Sequence, residues 1–162
     1  MKLIRSYHES RIAAPGSPQS LEASALWLSS MSDRAWRVLI DFRNWPNWIP
    51  GIREAQQMDQ DSPGRGTVLQ VENGGSRAVC SIDHWDPPRS LSFSFDVIGG
   101  EMAYGFRIQE DPKEPALLIH LELERSIYGL ARPLAFFLRW RLRRLGARIL
   151  MNLASRMRPT PI

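Results

Sequence analysis

The chain predicts an α+β domain in which one long helix lies across an antiparallel sheet. Three observations predict it. Residues 52–124 divide into six short segments, each bounded by turn chemistry. Several of those segments alternate oily and polar side chains. Residues 131–157 then carry leucine and isoleucine at steps of three or four, the period of a helix with one apolar face.

Taken in order, residues 1–19 show no clear period and include Ala13-Ala14-Pro15-Gly16-Ser17-Pro18, so they read as a mobile N-terminal arm. Residues 20–29 read as a first strand, which places the domain proper at 20–158. Ser30-Met31-Ser32-Asp33 matches a helix start, where a serine oxygen accepts an orphan backbone N–H and an acid sits in the first turn. That helix is expected to reach about Ile40. Pro46 and Pro50-Gly51 then forbid regular helix beyond a short turn. This stretch is rich in indoles: Trp36, Trp45 and Trp48 are half of the six tryptophans.

Strands are expected at about 52–59, 67–72, 76–85, 90–97, 102–110 and 116–124. Between them stand Ser62-Pro63-Gly64, Asn73-Gly74-Gly75, Asp86-Pro87-Pro88, Gly99-Gly100 and Asp111-Pro112. Links this short join antiparallel neighbours, so the sheet should be a meander, with a tight hairpin at Asn73-Gly74. Leu91, Phe93, Phe95 and Val97 share one face and Ser90, Ser92, Ser94 and Asp96 the other. Leu117, Ile119, Leu121 and Leu123 alternate in the same way. Met102, Tyr104, Phe106 and Ile108 join the oily face, with Arg107 outward. The parity of 76–85 is ambiguous, because Ala78, Cys80 and Ile82 compete with Val79. Gly129 breaks the chain before the last helix, where Leu134, Leu138, Leu142, Leu145, Ile149 and Leu153 form the stripe expected to cover the oily face.

Composition narrows the class. The chain has 162 residues, long enough for one domain with a core of its own. Its single cysteine, Cys80, excludes an internal disulfide and fits a reducing compartment. No window free of charge is long enough to span a bilayer and no leader is recognisable, so a cytoplasmic location is expected, peripheral to a membrane at most. The net charge of +4 hides an asymmetry. Nine arginines and no acid follow Glu124, which leaves twelve basic against seventeen acidic residues before that point. Such a basic end suggests a negatively charged partner, against the plainer reading of a solvated helix face.

Several segments in order resemble the START-like (SRPBCC) superfamily, in its polyketide cyclase/dehydrase and lipid-transport branch. They are Ala35-Trp36, Leu39, Asp41-Phe42, Trp45-Pro46-Asn47-Trp48, Pro50-Gly51-Ile52, Pro63-Gly64-Arg65-Gly66-Thr67 and Asp86-Pro87-Pro88-Arg89-Ser90-Leu91. The resemblance covers about residues 20–157. It implies a helix-grip fold, in which a bent seven-stranded sheet grips the C-terminal helix with a hydrophobic cavity between them. On that analogy Trp45 and Trp48 form either a lid or a structural corner, the corner being favoured. The cavity would be lined by Phe93, Phe95, Tyr104 and Phe106, then by Ile119 and Leu121, and by Leu138 and Leu142 from the helix.

The residues offer little reactive chemistry. His8, His84 and His120 are scattered without acids at ligand spacing, so no metal site is expected, and no glycine loop calls for a nucleotide cofactor. Cys80 reads as a small buried hydrophobe rather than a nucleophile. Tyr104, on the oily face, is a candidate polar anchor in an apolar pocket. The last helix carries a second stripe of Phe136, Trp140 and Met151, rimmed by Arg139, Arg143, Arg144 and Arg148. If exposed, that stripe suits an anionic membrane surface, a homodimer seam or cover by the N-terminal arm. Nucleic acid is disfavoured for want of a reading motif. The leading expectation is a carrier or sensor of a small hydrophobic ligand. The alternatives are a polyketide aromatase or cyclase, and an adaptor acting through the basic helix.

Overall fold

The computed structural model describes residues 2–13, 21–114, 116–127 and 132–157. Seven strands form one antiparallel sheet, and two helices lie against it. They are β1 (Lys2–Ala13), α1 (Leu21–Ile40), a short 3-10 helix (Phe42–Asn47), β2 (Ile52–Gln57), β3 (Val68–Asn73), β4 (Ser76–Asp86), β5 (Ser90–Val97), β6 (Gly100–Glu110), β7 (Ala116–Ile127) and α2 (Arg132–Met157). The sheet order is β1-β7-β6-β5-β4-β3-β2. The six-strand meander and the long last helix are therefore as expected, and the domain is α+β with a helix-grip arrangement. The expected break at Gly129 lies outside the described residues.

Two expectations at the N-terminal end fail. The arm contains the seventh strand: β1 pairs along its whole length with β7, Lys2 opposite Ile127 and Ala13 opposite Ala116. Its alternation is invisible in hydropathy because the inward residues Ser6, His8 and Ser10 are polar, whereas Tyr7 points outward. On the outer face Arg5 pairs with Glu124 at 3.2 Å and Arg11 with Asp111 at 3.1 Å. Residues 2–13 thus belong to the same sheet as the strands that follow.

Residues 21–29, in turn, are helix rather than strand. Leu28, Met31, Ala35, Trp36 and Leu39 are buried, at steps that follow a helical face. Ser30-Met31-Ser32-Asp33 lies inside α1 and is not its start.

The ambiguous parity of β4 resolves with Cys80 and Ile82 inward and Val79 exposed. The β3–β4 turn has positive φ at Gly74 and Gly75, 60° and 89°, so the two left-handed positions are both glycine rather than Asn73 and Gly74. α2 runs against β1 and β7. It approaches closely at Gly146, where an added Cβ would run into the His8 ring. A glycine in mid-helix, normally unfavourable, is what lets β1 and α2 approach there.

The Trp-rich corner closes one end of the concave face. The indole N–H of fully buried Trp45 donates to the Leu39 carbonyl at 2.9 Å, which satisfies an end group of α1. Its ring stacks on Phe93 at 4.3 Å, and Phe93 stacks in turn on Tyr104 at 4.9 Å. Trp48 meets Phe106 edge-on at 5.8 Å, and its carbonyl accepts a bond from Asn152 of α2. Trp45→Ala should destabilise the fold by about 3–5 kcal/mol, the usual cost of emptying a large aromatic site. Urea unfolding followed by circular dichroism checks this; a loss under about 1 kcal/mol would mean the corner is not a keystone.

Candidate ligand cavity

A cavity of about 660 Å³ opens between the sheet and the middle turns of α2. It lies at the end of the sheet carrying the β3–β4 and β5–β6 turns. Its apolar wall comes from Val97, Met102 and Tyr104 on one side and Leu138, Leu142 and Leu145 on the other. Its charged wall holds Arg77, Arg125, Arg141, Arg144 and Arg148, with Asp96 the carboxylate among them.

Of the ten residues expected at the ligand site, Tyr104, Leu138 and Leu142 meet on this wall. Phe93, Phe95, Phe106, Ile119 and Leu121 are buried in the core but do not line it. Trp45 and Trp48, both buried, do not line it either. The reason is packing: the two indoles and the stacked rings of Phe93 and Phe106 fill the middle of the concave face. The void is left beyond them, where the sheet runs on past the corner. The Trp48 indole nitrogen is buried without a partner among the described residues.

Among the wall residues that escape the sequence reading is Arg125. Leu117, Ile119, Leu121 and Leu123 face inward along β7, and the same parity carries Arg125 onto the oily face. The signal is present in the sequence, but the strand is expected there to stop at residue 124. Arg125 stands opposite Met102 on β6 and Ile4 on β1, both buried. One of its terminal nitrogens donates to the Ile98 carbonyl at 3.3 Å, and its Nε is buried with no partner among the described residues.

The Tyr104 phenol is pushed above its ordinary range by burial, a shift that nearby Cys80 adds to and Arg125 opposes. The Cys80 thiol is pushed up to about 12, by burial first and by Asp83 second. It is absent from the cavity wall. His84 Nε2 lies 2.7 Å from Ser90 Oγ, and His120 Nδ1 lies 3.1 Å from Glu9. His8 is held below its ordinary range by burial and by Arg143. Among the described residues, no three His, Cys, Asp or Glu side chains are grouped to hold a metal ion.

The second stripe of α2 faces solvent. Phe136 is 78% exposed, Trp140 45% and Met151 66%, so β1 does not cover them. Arg139, Arg143, Arg144 and Arg148 are exposed beside them. Arg144 lies over the Trp140 ring at 4.1 Å, and Trp140 stacks with Phe137 at 5.9 Å. Ile98, at the β5–β6 turn on the cavity rim, is 88% exposed. No helix among the described residues is long and apolar enough to cross a membrane.

A bent sheet, a gripped C-terminal helix and a cavity between them define a START-like domain. The chain belongs to the family described as polyketide cyclase / dehydrase and lipid transport, whose model matches residues 32–158. Solved structures share the fold. Zhui aromatase/cyclase from Streptomyces sp. R1128 is 16% identical, with 96% of this chain and 94% of that one aligned at a TM-score of 0.66. Ara h 8.0201 is 14% identical, with 95% and 99% aligned at 0.59. A START superfamily protein from Mycobacterium smegmatis is 14% identical, with 94% and 93% aligned at 0.56. No curated protein sequence matches the chain.

The thiol shift has a measurable consequence. A raised pKa keeps Cys80 protonated, and so unreactive, until pH approaches about 12. At pH 8 iodoacetamide should therefore label the folded chain at least about a hundredfold more slowly than the unfolded chain, since each unit of pKa is tenfold in thiolate. Equal rates would show that the thiol is open to solvent.

Proposed function

We propose that this protein carries or senses a small hydrophobic ligand, lipid or polyketide-like, without transforming it. The observation that carries this reading is the apolar wall of Met102, Tyr104, Leu138, Leu142 and Leu145 around a void of about 660 Å³. That is the size and character of a small-molecule site. Binding would draw on apolar burial, about 25 cal/mol per Å², less the cost of association. The family description, which includes lipid transport, supports it. A cyclase needs at least two polar groups positioned on the substrate. Cys80 is off the wall and protonated, so it supplies neither a base nor a nucleophile to the cavity.

Native mass spectrometry after mild purification should find the chain with added ligand mass. Leu138→Trp, which fills the void from its half-buried side, should lower the loaded fraction severalfold at unchanged far-UV circular dichroism. A bare chain that also fails to take up an apolar fluorescent dye would end the carrier reading.

The exposed stripe of α2 supports a second reading, docking of a cytoplasmic protein on an anionic membrane surface. Phe136 and Trp140 supply apolar area and the flanking arginines supply charge, as in interfacial helices. The chain should sediment with vesicles rich in phosphatidylserine and be released by salt, because exposed charge is screened within about 10 Å at about 0.1 M. Combining Arg139→Gln, Arg143→Gln, Arg144→Gln and Arg148→Gln should abolish sedimentation. A salt-insensitive dimer formed by wild type and variant alike would instead assign the stripe to a second copy of the chain.

A further inference from the structure

We infer that the ligand is an anionic amphiphile, a carboxylate- or phosphate-headed molecule whose head pairs with Arg125 and whose apolar part lies against Met102, Tyr104 and Leu142. The inference rests on reading the cavity as a ligand site and adds the chemical class of its occupant.

The first ground is the position of Arg125. It continues the inward row of β7, after Ile119, Leu121 and Leu123, and sits between buried Ile4 and Met102. Arg125 is half-buried, and a guanidinium on the oily face of a sheet is costly where its nitrogens lose water without gaining a partner. Its Nε has no partner, one carbonyl bond at 3.3 Å is its recorded polar contact, and no carboxylate lies within ion-pair distance among the described residues.

The second ground is the charge of the whole wall. Arg77 stands opposite Glu72 across β3 and β4, a carboxylate whose ion pair is with Arg53 at 3.8 Å. Even with Arg77 set aside, the wall holds Arg125, Arg141, Arg144 and Arg148 against Asp96. A neutral ligand filling this space would strip water from these cations and return nothing for it. An anionic head returns charge-assisted hydrogen bonds, and the planar fork of arginine fits carboxylate and phosphate alike. Tyr104 stands on the same wall, near enough for the charge of Arg125 to act on its phenol.

Calorimetric titration of the full chain with dodecanoate, dodecyl phosphate and dodecanol, all below micelle formation, tests this. At least one anion should bind about tenfold or more tighter than the alcohol, the worth of one hydrogen-bonded charge. Which anion wins separates a fatty-acid head from a phosphate head. Arg125→Met should erase the preference, weakening the favoured anion about tenfold or more relative to dodecanol, and Arg125→Lys, which keeps the charge without the fork, should fall between. The methionine variant should melt no lower than wild type without ligand, since it removes an unpaired charge from an apolar face. Equal affinity for alcohol and anions, or a preference that survives Arg125→Met, would overturn the inference while leaving an apolar carrier standing. No binding of any of the three would take down the cavity reading and this inference together.

Discussion

The contact on which the arrangement depends is the Trp45 indole held between two partners. Its N–H satisfies the Leu39 carbonyl at the end of α1, and its face stacks on Phe93 in the middle of the sheet. One side chain thereby ends a helix, turns the chain and seats that turn against the concave surface. Proline alone stops a helix, but it does not say where the chain goes next. A large flat ring with a single donor does both, because it gains by stacking and loses if its N–H is left dry.

That plug also decides where the empty space lies. A bent sheet gripping one helix leaves a trough along its concave side. Here the trough is filled with rings from Trp45 to Tyr104, and α2 is drawn tight at Gly146 against His8. The cavity of about 660 Å³ lies at the end bearing the β3–β4 and β5–β6 turns, beside the arginine-rich turns of α2. The apolar wall, the basic wall and the exposed aromatics of α2 therefore share one end of the molecule. The carrier and membrane-docking readings are compatible for that reason.

The meander was legible because its strands alternate and its turns carry glycine, proline and asparagine at the boundaries. The stripe of α2 was legible from leucine spacing, although Leu134 is exposed and the buried stripe strengthens only from Leu142 onward. The start of the first helix passes for a strand because Leu21–Leu28 are apolar enough for one, and its face shows only when Met31, Ala35 and Leu39 are added. The first strand is hidden because its inward residues are Ser6, His8 and Ser10, which look like an arm to any reading based on oiliness. At the candidate cavity, Tyr104, Leu138 and Leu142 are the expected residues that reach the wall, whereas Phe93, Phe95 and Phe106 share the inward face but are packed away from it.

The sequence by itself determined the class: alternation and helical spacing are local periodicities, and they specify which face of each element is oily. It also determined that the C-terminal end is basic. Only the tertiary structure decided which oily residues close on one another and which border a void, because that depends on how far the Trp45 corner reaches across the sheet. It alone decided that Arg125 faces inward beside Met102, with no acid among the described residues to meet it. Charge is written in the sequence, but whether a charge has a partner is a matter of distances between strands far apart in the chain.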